Sequence, residues 1–102
     1  VINSGSKIGS HCYINTKSSI DHDNFIKNYS STGPGVVTGG NVKVDECSHI
    51  GIGSTVLQKI HIKSNTVIGG HSLVNKNCLP NSIYFGVPAK YIRKRKKFEK
   101  YL

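Results

Sequence analysis

The chain has 102 residues and a formal net charge of +9 at pH 7, with 36% hydrophobic and 8% aromatic residues. It contains no apolar run long enough to span a bilayer and no signal-peptide pattern, so the sequence predicts no membrane span and a cytoplasmic location. Its cysteines, Cys12, Cys47 and Cys78, are odd in number and too scattered for a disulfide framework or a C-x-x-C motif. The composition therefore indicates a small domain whose cysteines are structural, with Cys12 and Cys78 packed as small hydrophobic side chains.

A six-residue period begins at Ile2 and continues to Val74. Eleven of the thirteen positions in this register carry Ile or Val, and the exceptions are Thr32 and Thr38. The period matches neither the helical value of 3.6 nor the strand value of 2, so it marks a repeated supersecondary unit. We therefore predict an all-β hexapeptide solenoid over residues 1–79, with a closing segment and a basic tail over residues 80–102. Because the register is already running at Ile2, we expect an upstream N-terminal domain that is absent from this chain.

Three hexads are expected to close one triangular coil. Stacked coils, about 4.8 Å apart, would align the aliphatic residues in three core columns: Ile2, Ile20, Thr38, Val56 and Val74 in the first; Ile8, Ile26, Val44 and Ile62 in the second; Ile14, Thr32, Ile50 and Ile68 in the third. The fourth residue after each aliphatic is small or β-branched almost throughout. The residue directly after the aliphatic is Gly, Asn or Asp in ten of thirteen hexads. Because Gly, Asn and Asp tolerate positive φ, we predict the tight corners at that phase.

One histidine has a carboxylate on either side. His22 lies two positions after a core residue, next to a predicted corner, between Asp21 and Asp23. A carboxylate that orients an imidazole and stabilises its protonated form is the arrangement that a general base requires. The register fails shortly afterwards at Thr32 and Thr38, and such local failures tend to mark function or strain. His22 is therefore a candidate general base, and the alternative is an ordinary surface histidine.

The other four histidines do not form a set with His22. They lie three or five positions after a core aliphatic, whereas His22 lies two positions after one, so they share no column with it: His11, His49, His61 and His71. A solenoid can hold zinc through three histidines contributed by different subunits, but this spacing does not supply such a set. We therefore predict no metal site.

The last thirteen residues carry +6 of the net charge. A basic tail can bind nucleic acid, an anionic membrane or a phosphate-bearing ligand. No aromatic platform or helix-turn-helix pattern supports nucleic-acid binding, so no nucleic-acid partner is predicted. We interpret the segment as a short C-terminal helix or tail whose apolar residues pack back on the solenoid or on a neighbour: Tyr91, Ile92, Phe98, Tyr101 and Leu102.

Several motifs together resemble those of a known family. They are the hexapeptide register over residues 2–78, Ile20-Asp21-His22-Asp23, Gly39-Gly40-Asn41-Val42, Ile68-Gly69-Gly70 and the closing Gly86-Val87-Pro88-Ala89-Lys90. The chain resembles the sialic acid and sugar O-acyltransferase group of left-handed β-helix acetyltransferases, which includes enzymes that N-acetylate nucleotide-linked amino sugars in bacterial surface-glycan pathways. The resemblance implies a left-handed parallel β-helix, acetyl-CoA as acyl donor, and a sugar or nucleotide-linked amino sugar as acceptor. It also implies a homotrimer with the cofactor between adjacent solenoids.

The resemblance assigns roles to particular residues. His22 matches the catalytic base, Asp23 matches the acid that increases its basicity, and Gly40 matches the residue whose backbone amide stabilises the oxyanion. Gly40 follows His22 by 18 residues, or one coil, so the sequence independently predicts that the two are neighbours. Positions that contact acetyl-CoA match Ile52 and Gly70.

The implied reaction is direct transfer without a covalent acyl-enzyme. One further cofactor-contacting position, commonly histidine in the amino-sugar enzymes, is Ser31 here, so the acceptor is left open. One alternative is the same fold acting on serine, a maltose-type sugar or an antibiotic. The other is a non-catalytic trimeric scaffold module in which His22 is only a surface residue.

Overall fold

The computed structural model describes residues 1–97 and 99–100, and they wind into a parallel β-solenoid of about four turns. The predicted fold class, an all-β left-handed parallel β-helix, is confirmed. The first eleven strands have two residues each and the last two are longer: β1 (Lys7–Ile8), β2 (Tyr13–Ile14), β3 (Phe25–Ile26), β4 (Ser31–Thr32), β5 (Val37–Thr38), β6 (Lys43–Val44), β7 (His49–Ile50), β8 (Thr55–Val56), β9 (His61–Ile62), β10 (Val67–Ile68), β11 (Leu73–Val74), β12 (Ser82–Phe85) and β13 (Lys90–Lys94).

The strands form one parallel sheet on each side of the triangular coil. Face 1 contains β1, β3, β6 and β9, face 2 contains β2, β4, β7 and β10, and face 3 contains β5, β8 and β11. Paired strands are one 18-residue coil apart, as in Ile8↔Ile26 and Thr32↔Ile50. The bridge Ile2↔Ile20 begins the column of face 3. The coil length and the three columns predicted from the sequence are those of the structure.

Aliphatic side chains of the three columns form the core. Those with 0% exposure include Ile20, Ile50, Val56 and Ile68. Burial of one such side chain contributes about 1.5–3 kcal/mol, and each of the three coils between Ile20 and Ile68 adds two or three buried aliphatic side chains to the same continuous stack. The stack therefore stabilises the coils without a helix or a second layer.

Buried hydroxyl groups explain the small-residue phase. The hydroxyl of Ser48 donates to the carbonyl of Lys63 at 2.9 Å and accepts the backbone N–H of Thr66 at 3.1 Å. Ser30 and Ser54 repeat this arrangement one coil earlier and on the neighbouring side of the triangle. A buried backbone group without a partner is costly, so each serine links two coils where the strand pairing stops.

The positive φ angles lie two positions later than the sequence predicts. Asp23 has φ +54° and Asn41 has φ +58°, and both are three positions, not one, after the core residue. At the predicted phase, a Cβ added to Gly33 would lie 2.7 Å from the backbone nitrogen of Ile52. The prediction was wrong because the glycine phase reflects the close approach of stacked backbones rather than the conformation of the corners.

At its C-terminal end the solenoid closes with a hairpin. Strand β12 pairs in parallel with β10, and β13 pairs antiparallel with β12, which extends face 2 by two strands. The helical interpretation of the C-terminal segment is therefore wrong for Lys90–Lys94. The last coil leaves backbone groups unpaired at its edge, and a hairpin satisfies them as a helix could not. The described residues contain no helix, and hence none that could cross a membrane.

The described part of the basic tail is tied back to the solenoid. Arg95 is only 7% exposed and donates to the backbone carbonyls of Cys47, at 3.1 Å, and Glu99. Arg93 forms an ion pair with the side chain of Glu99. Tyr91 meets Tyr84 edge-on, with ring centroids 5.8 Å apart. The predicted packing of Phe98, Tyr101 and Leu102 lies outside the described residues.

The last coil is two residues shorter than the others. Ile62 pairs with Cys78, 16 residues later, so Cys78 ends the second core column instead of occupying the small-residue phase. It is 2% exposed, and burial raises the pKa of its thiol to about 12. Cys12 is half-buried and bonded to the carbonyl of Lys27. Both thiols thus have a packing role, as predicted.

Candidate functional site

His22 occupies the corner between face 3 and face 1. Its Nδ1 lies 3.0 Å from Oδ2 of Asp23, and its backbone N–H donates to Oδ1 of Asp21 at 2.7 Å. The left-handed backbone of Asp23 brings its carboxylate back to the ring that precedes it, and aspartate tolerates this conformation better than most residues. Because Nδ1–H donates to the carboxylate, Nε2 is left as the acceptor nitrogen of the neutral ring.

Two glycines make room for the pair. Gly40 lies one coil after His22, and a Cβ added to it would overlap Nε2 of the imidazole. Gly5 lies one coil before Asp23, and a Cβ added there would overlap the carboxylate. The imidazole and the Gly40 backbone are therefore in direct contact, as the 18-residue spacing predicts.

A buried polar pair positions this corner. Asn24 and Thr38 are 1% and 2% exposed, and the Thr38 hydroxyl donates to Oδ1 of Asn24 at 2.6 Å. The side-chain amide of Asn24 donates to the carbonyl of His22 at 3.1 Å and to that of Gly39 at 2.9 Å. Threonine replaces an aliphatic in the core because Asn24 needs a donor there. The break in the register thus fixes the His22 backbone against the Gly39-Gly40 turn.

The carboxylates change the proton affinity of the site. The hydrogen bond that the His22 ring donates to Asp23 raises the pKa of His22 above its usual value, and the charges of Asp21 and Asp23 act in the same direction. The backbone N–H of His22 and the amide of Asn3 lower the pKa of Asp21. Asp21 is therefore ionised at neutral pH, and the imidazole is a stronger base than in free histidine.

An open groove runs from this corner over face 3. It has a volume of about 520 Å³, and its lining includes His22, Gly40, Val37 and Leu57. We call it the His22 groove. Its polar corner and apolar floor suit a ligand that has a reacting polar end and an apolar portion.

A second depression lies over face 2 and the corner that follows it. Its volume is about 450 Å³, and its lining includes Ser31, His49, Ile52 and Gly70. We call it the Ser31 cavity. Ile52 and Gly70 are in contact, since a Cβ added to Gly70 would lie 3.0 Å from Cγ2 of Ile52.

The structure thus brings the predicted site residues together in two groups. His22, Asp23 and Gly40 meet at one corner, whereas Ile52 and Gly70 meet in a depression on another face of the same solenoid. The roles that the resemblance assigns to these five residues remain predictions.

Sequence reasoning missed three supporting residues, and it noted a fourth, Thr38, only as a break in the register. Asn24 and Thr38 hold the corner, Gly5 makes room for Asp23, and His49 is bonded to Ser31. The coil length is a signal that could have found Gly5 and His49, because each is 18 residues from its partner. No sequence signal shows that Asn24 turns its side chain inward.

Among residues 1–97 and 99–100, no three His, Cys, Asp or Glu side chains converge as a metal site. His61 instead pairs with Asp45 at 2.9 Å, and Asp45 also faces Lys27 at 3.4 Å. His11 stacks on Tyr29 with ring centroids 5.0 Å apart. These two histidines therefore have structural partners outside the His22 groove.

Comparison with solved structures identifies hexapeptide-repeat acetyltransferases as the structural neighbours of this chain, whereas no profile of a known protein family matches it. A histidine-to-asparagine variant of perosamine N-acetyltransferase from Caulobacter crescentus, in complex with CoA and GDP-perosamine, is 30% identical with a TM-score of 0.89 over 91% of this chain and 44% of that protein. Serine acetyltransferase from Neisseria gonorrhoeae is 25% identical with a TM-score of 0.87, over 94% of this chain and 42% of that one.

A maltose O-acetyltransferase from Clostridium difficile is 23% identical with a TM-score of 0.85, over 95% of this chain and 65% of that protein; this likeness shows the fold alone. The predicted resemblance is thus confirmed, because the chain is a β-solenoid whose structural homologues are acetyltransferases. The chain spans less than two thirds of the length of each of these three proteins.

Proposed function

We propose that this chain is the acyl-transfer solenoid of an acetyl-CoA-dependent acetyltransferase. The observation that carries the proposal is the His22–Asp23 pair, hydrogen-bonded at 3.0 Å and packed against the backbone of Gly40. Direct acyl transfer requires a base that is oriented by a carboxylate. It also requires a hydrogen-bond donor, such as an accessible backbone amide, close to the reacting carbonyl. The acetyltransferases among the structural neighbours support this reading.

The proposed reaction has one transfer step. Nε2 of His22 accepts a proton from the amine or hydroxyl of the acceptor as that group attacks the thioester carbonyl of acetyl-CoA. Asp23 stabilises the resulting imidazolium. The backbone amide of Gly40 stabilises the negative charge on the carbonyl oxygen, and this charge collapses to expel the CoA thiolate, which takes the proton.

The proposed acceptor is a sugar or a nucleotide-linked amino sugar of bacterial surface-glycan biosynthesis. The neighbour crystallised with GDP-perosamine supports this class. A small amino acid such as serine is the second candidate acceptor, because a serine acetyltransferase is also among the structural neighbours. Because acetyl-CoA is a cytoplasmic metabolite, we propose a cytoplasmic location for the reaction.

We further propose that the working unit is a homotrimer. Within one protomer, Ile52 and Gly70 line a cavity over face 2, whereas His22 lies at the far edge of face 3. In a ring with threefold symmetry the contact is heterologous, so two different surfaces meet, and we propose that face 2 of one copy meets face 3 of the next. This packing would bring the predicted cofactor residues opposite His22 of a neighbouring copy.

The test begins with acetyl-CoA and a panel of acceptors: GDP-perosamine, UDP-linked amino sugars, serine and maltose. Release of the CoA thiol reports turnover. We expect His22→Ala to reduce turnover by about two to four orders of magnitude, the usual contribution of a positioned base, and to leave acetyl-CoA binding and thermal unfolding unchanged.

The matched control is His11→Ala, which removes an exposed histidine from another corner and should retain full activity. An acceptor-dependent activity that survives in His22→Ala would rule out the proposed base. A wild-type chain that does not bind acetyl-CoA in calorimetry would favour the scaffold role instead.

A further inference from the structure

The net charge of the chain lies entirely in its second half. Residues 1–46 contain four Lys and four Asp or Glu, so their formal charge is zero. Residues 47–102 contain ten Lys or Arg and a single acidic residue, Glu99, so they carry the whole of the +9. Because a solenoid converts position along the chain into position along its axis, the C-terminal end of the prism is strongly basic.

The one acidic side chain of that half is already engaged. Both oxygens of the Glu99 carboxylate accept hydrogen bonds from the guanidinium of Arg93, and the neighbouring Arg95 is buried against the solenoid. Lys94 and Lys96 are exposed, and among the described residues no carboxylate lies within ion-pair distance of either ammonium group. The described part of the chain thus supplies no counter-ion to these two lysines.

Exposed apolar side chains lie beside these cations. Strand β13 is the outermost strand of face 2 at the C-terminal end, and its Tyr91 lines a depression of about 360 Å³ together with Leu79 and Lys94. Leu79 is 59% exposed and Ile92 is 55% exposed. We call Leu79, Tyr91, Ile92, Lys94 and Lys96 the end surface. The depression shares no lining residue with the His22 groove or the Ser31 cavity.

The combination of charge and apolar side chains selects the kind of partner. Nucleic acid is held by cations and by aromatic rings that stack on the bases, and it gains little from exposed Leu or Ile. An anionic bilayer fits both features, because its headgroups attract Lys and its interfacial layer accepts apolar side chains. The end surface is therefore complementary to an anionic membrane surface.

We propose that the end surface docks this protein peripherally on an anionic lipid bilayer. The ammonium groups of Lys94 and Lys96 meet the phosphates of the headgroups, and Leu79 and Ile92 enter the interfacial layer between them. The His22 corner belongs to the other half of the solenoid, so docking leaves it accessible. In the proposed threefold ring, the three end surfaces would lie at the same end of the assembly, and their attractions would reinforce one another.

Co-sedimentation with vesicles over a range of lipid concentrations tests the proposal. Vesicles of phosphatidylglycerol and phosphatidylcholine in equal amounts should bind the wild-type chain, whereas vesicles of phosphatidylcholine alone should not. Added NaCl should weaken the binding, since salt screens the headgroup charge. The double variant of Lys94→Gln and Lys96→Gln should bind about 25-fold more weakly, which is about fivefold for each lysine. The double variant of Leu79→Ser and Ile92→Ser should bind about fivefold more weakly or worse.

Matched controls remove the same groups from elsewhere. The double variant of Lys7→Gln and Lys17→Gln loses two exposed lysines from the neutral half, so it has the same net charge as the Lys94 and Lys96 variant. It should bind as tightly as the wild type, because docking is local to the end surface. Phe25→Ser removes an exposed ring from face 1 and should likewise have no effect. Thermal unfolding of each variant reports whether its fold is retained.

Equal losses in the two lysine double variants would overturn the proposal, because net charge alone would then explain the binding. Unchanged binding of the Leu79 and Ile92 variant would also overturn it, since the site would then be one for dissolved polyanions. Saturating acetyl-CoA should not release the vesicles, and release would assign the lysines to the acyl donor instead. A wild-type chain that binds neither kind of vesicle would refute the docking and leave the proposed acetyl transfer untouched.

Discussion

At the scale of single residues, the proposed chemistry depends on which nitrogen of His22 is available. The contact of Nδ1 with Asp23 leaves Nε2 directed at Gly40 and the groove. The same contact raises the pKa of the imidazole, because a hydrogen bond to a carboxylate favours the protonated ring. Asp23 therefore controls both the orientation and the strength of the base.

The effect of Asp23 on the pKa of His22 predicts how the pH dependence of acetyl transfer should change when Asp23 is replaced. A general base acts in its neutral form, so the rate rises as the pH increases through its pKa. Asp23→Asn removes the main cause of the raised pKa, so we expect the acidic limb of the kcat/KM profile to move to lower pH. The plateau should fall as well, because the base is weaker and less well oriented. The measurement is kcat/KM for acetyl transfer between pH 5 and 9.

Asp21→Asn is the matched control for that experiment. Asp21 acts on the imidazole only through its charge and bonds the backbone instead, so its removal should shift the limb less. Superimposable profiles for Asp23→Asn and the wild type, or a larger shift for Asp21→Asn, would contradict the assigned order of causes.

At the scale of the structural element, two kinds of glycine build the corners. Gly35 has φ +69° and open space around its missing Cβ, so its role is conformational. Gly51 has no positive φ, but an added Cβ would lie 2.7 Å from the nitrogen of Gly70 and from the carbonyl oxygen of Ile68. Its role is to let one coil lie directly on the next.

Replacement by alanine should lower the free energy of unfolding by different amounts at these two kinds of glycine. Gly35→Ala strains only its own backbone and should lower the free energy of unfolding by about 1–2 kcal/mol. Gly51→Ala places a methyl group against backbone that cannot move without breaking the pairing of β7 with β10, so we expect about 3 kcal/mol or more. Urea unfolding of both variants checks the order, and a larger loss in Gly35→Ala would contradict it.

At the scale of the whole molecule, the solenoid is a triangular prism with unequal faces. Face 3 exposes apolar side chains, including Val37 at 44% and Leu57 at 43%, and face 2 carries the Ser31 cavity. Face 1 exposes lysines and Phe25, with the ammonium of Lys27 5.6 Å from the centre of the Phe25 ring. The proposed threefold ring would cover faces 2 and 3 and leave face 1 in solvent.

Charge substitutions on the two kinds of face test this packing. Val37→Glu and Leu57→Glu would bury a carboxylate without a partner in the contact, so we expect them to convert the trimer to protomers of 11.1 kDa. Phe25→Glu, on face 1, should leave the assembly intact. Sedimentation velocity measures the mass of each species. A wild-type protein that sediments as a monomer, or equal behaviour of all three variants, would contradict the proposed arrangement.

The six-residue period by itself determined the fold class, and it gave the coil length and the membership of the three core columns as far as Val74, although not the shortened last coil that brings Cys78 under Ile62. It could do so because a solenoid repeats one local unit, so each coil contacts only its neighbours and distance along the chain translates directly into contact. For the same reason, the contact between His22 and Gly40 was predictable from their 18-residue separation.

Only the tertiary structure decided what depends on side-chain direction and on the ends of the stack. It turned Asn24 inward to meet Thr38, joined Ser31 to His49, and placed the positive φ angles at Asp23 and its equivalents. It also made residues 90–94 a strand, because the last coil needs backbone partners that no periodic pattern encodes. The period specifies which residues are neighbours, whereas packing and hydrogen-bond satisfaction decide how those neighbours meet.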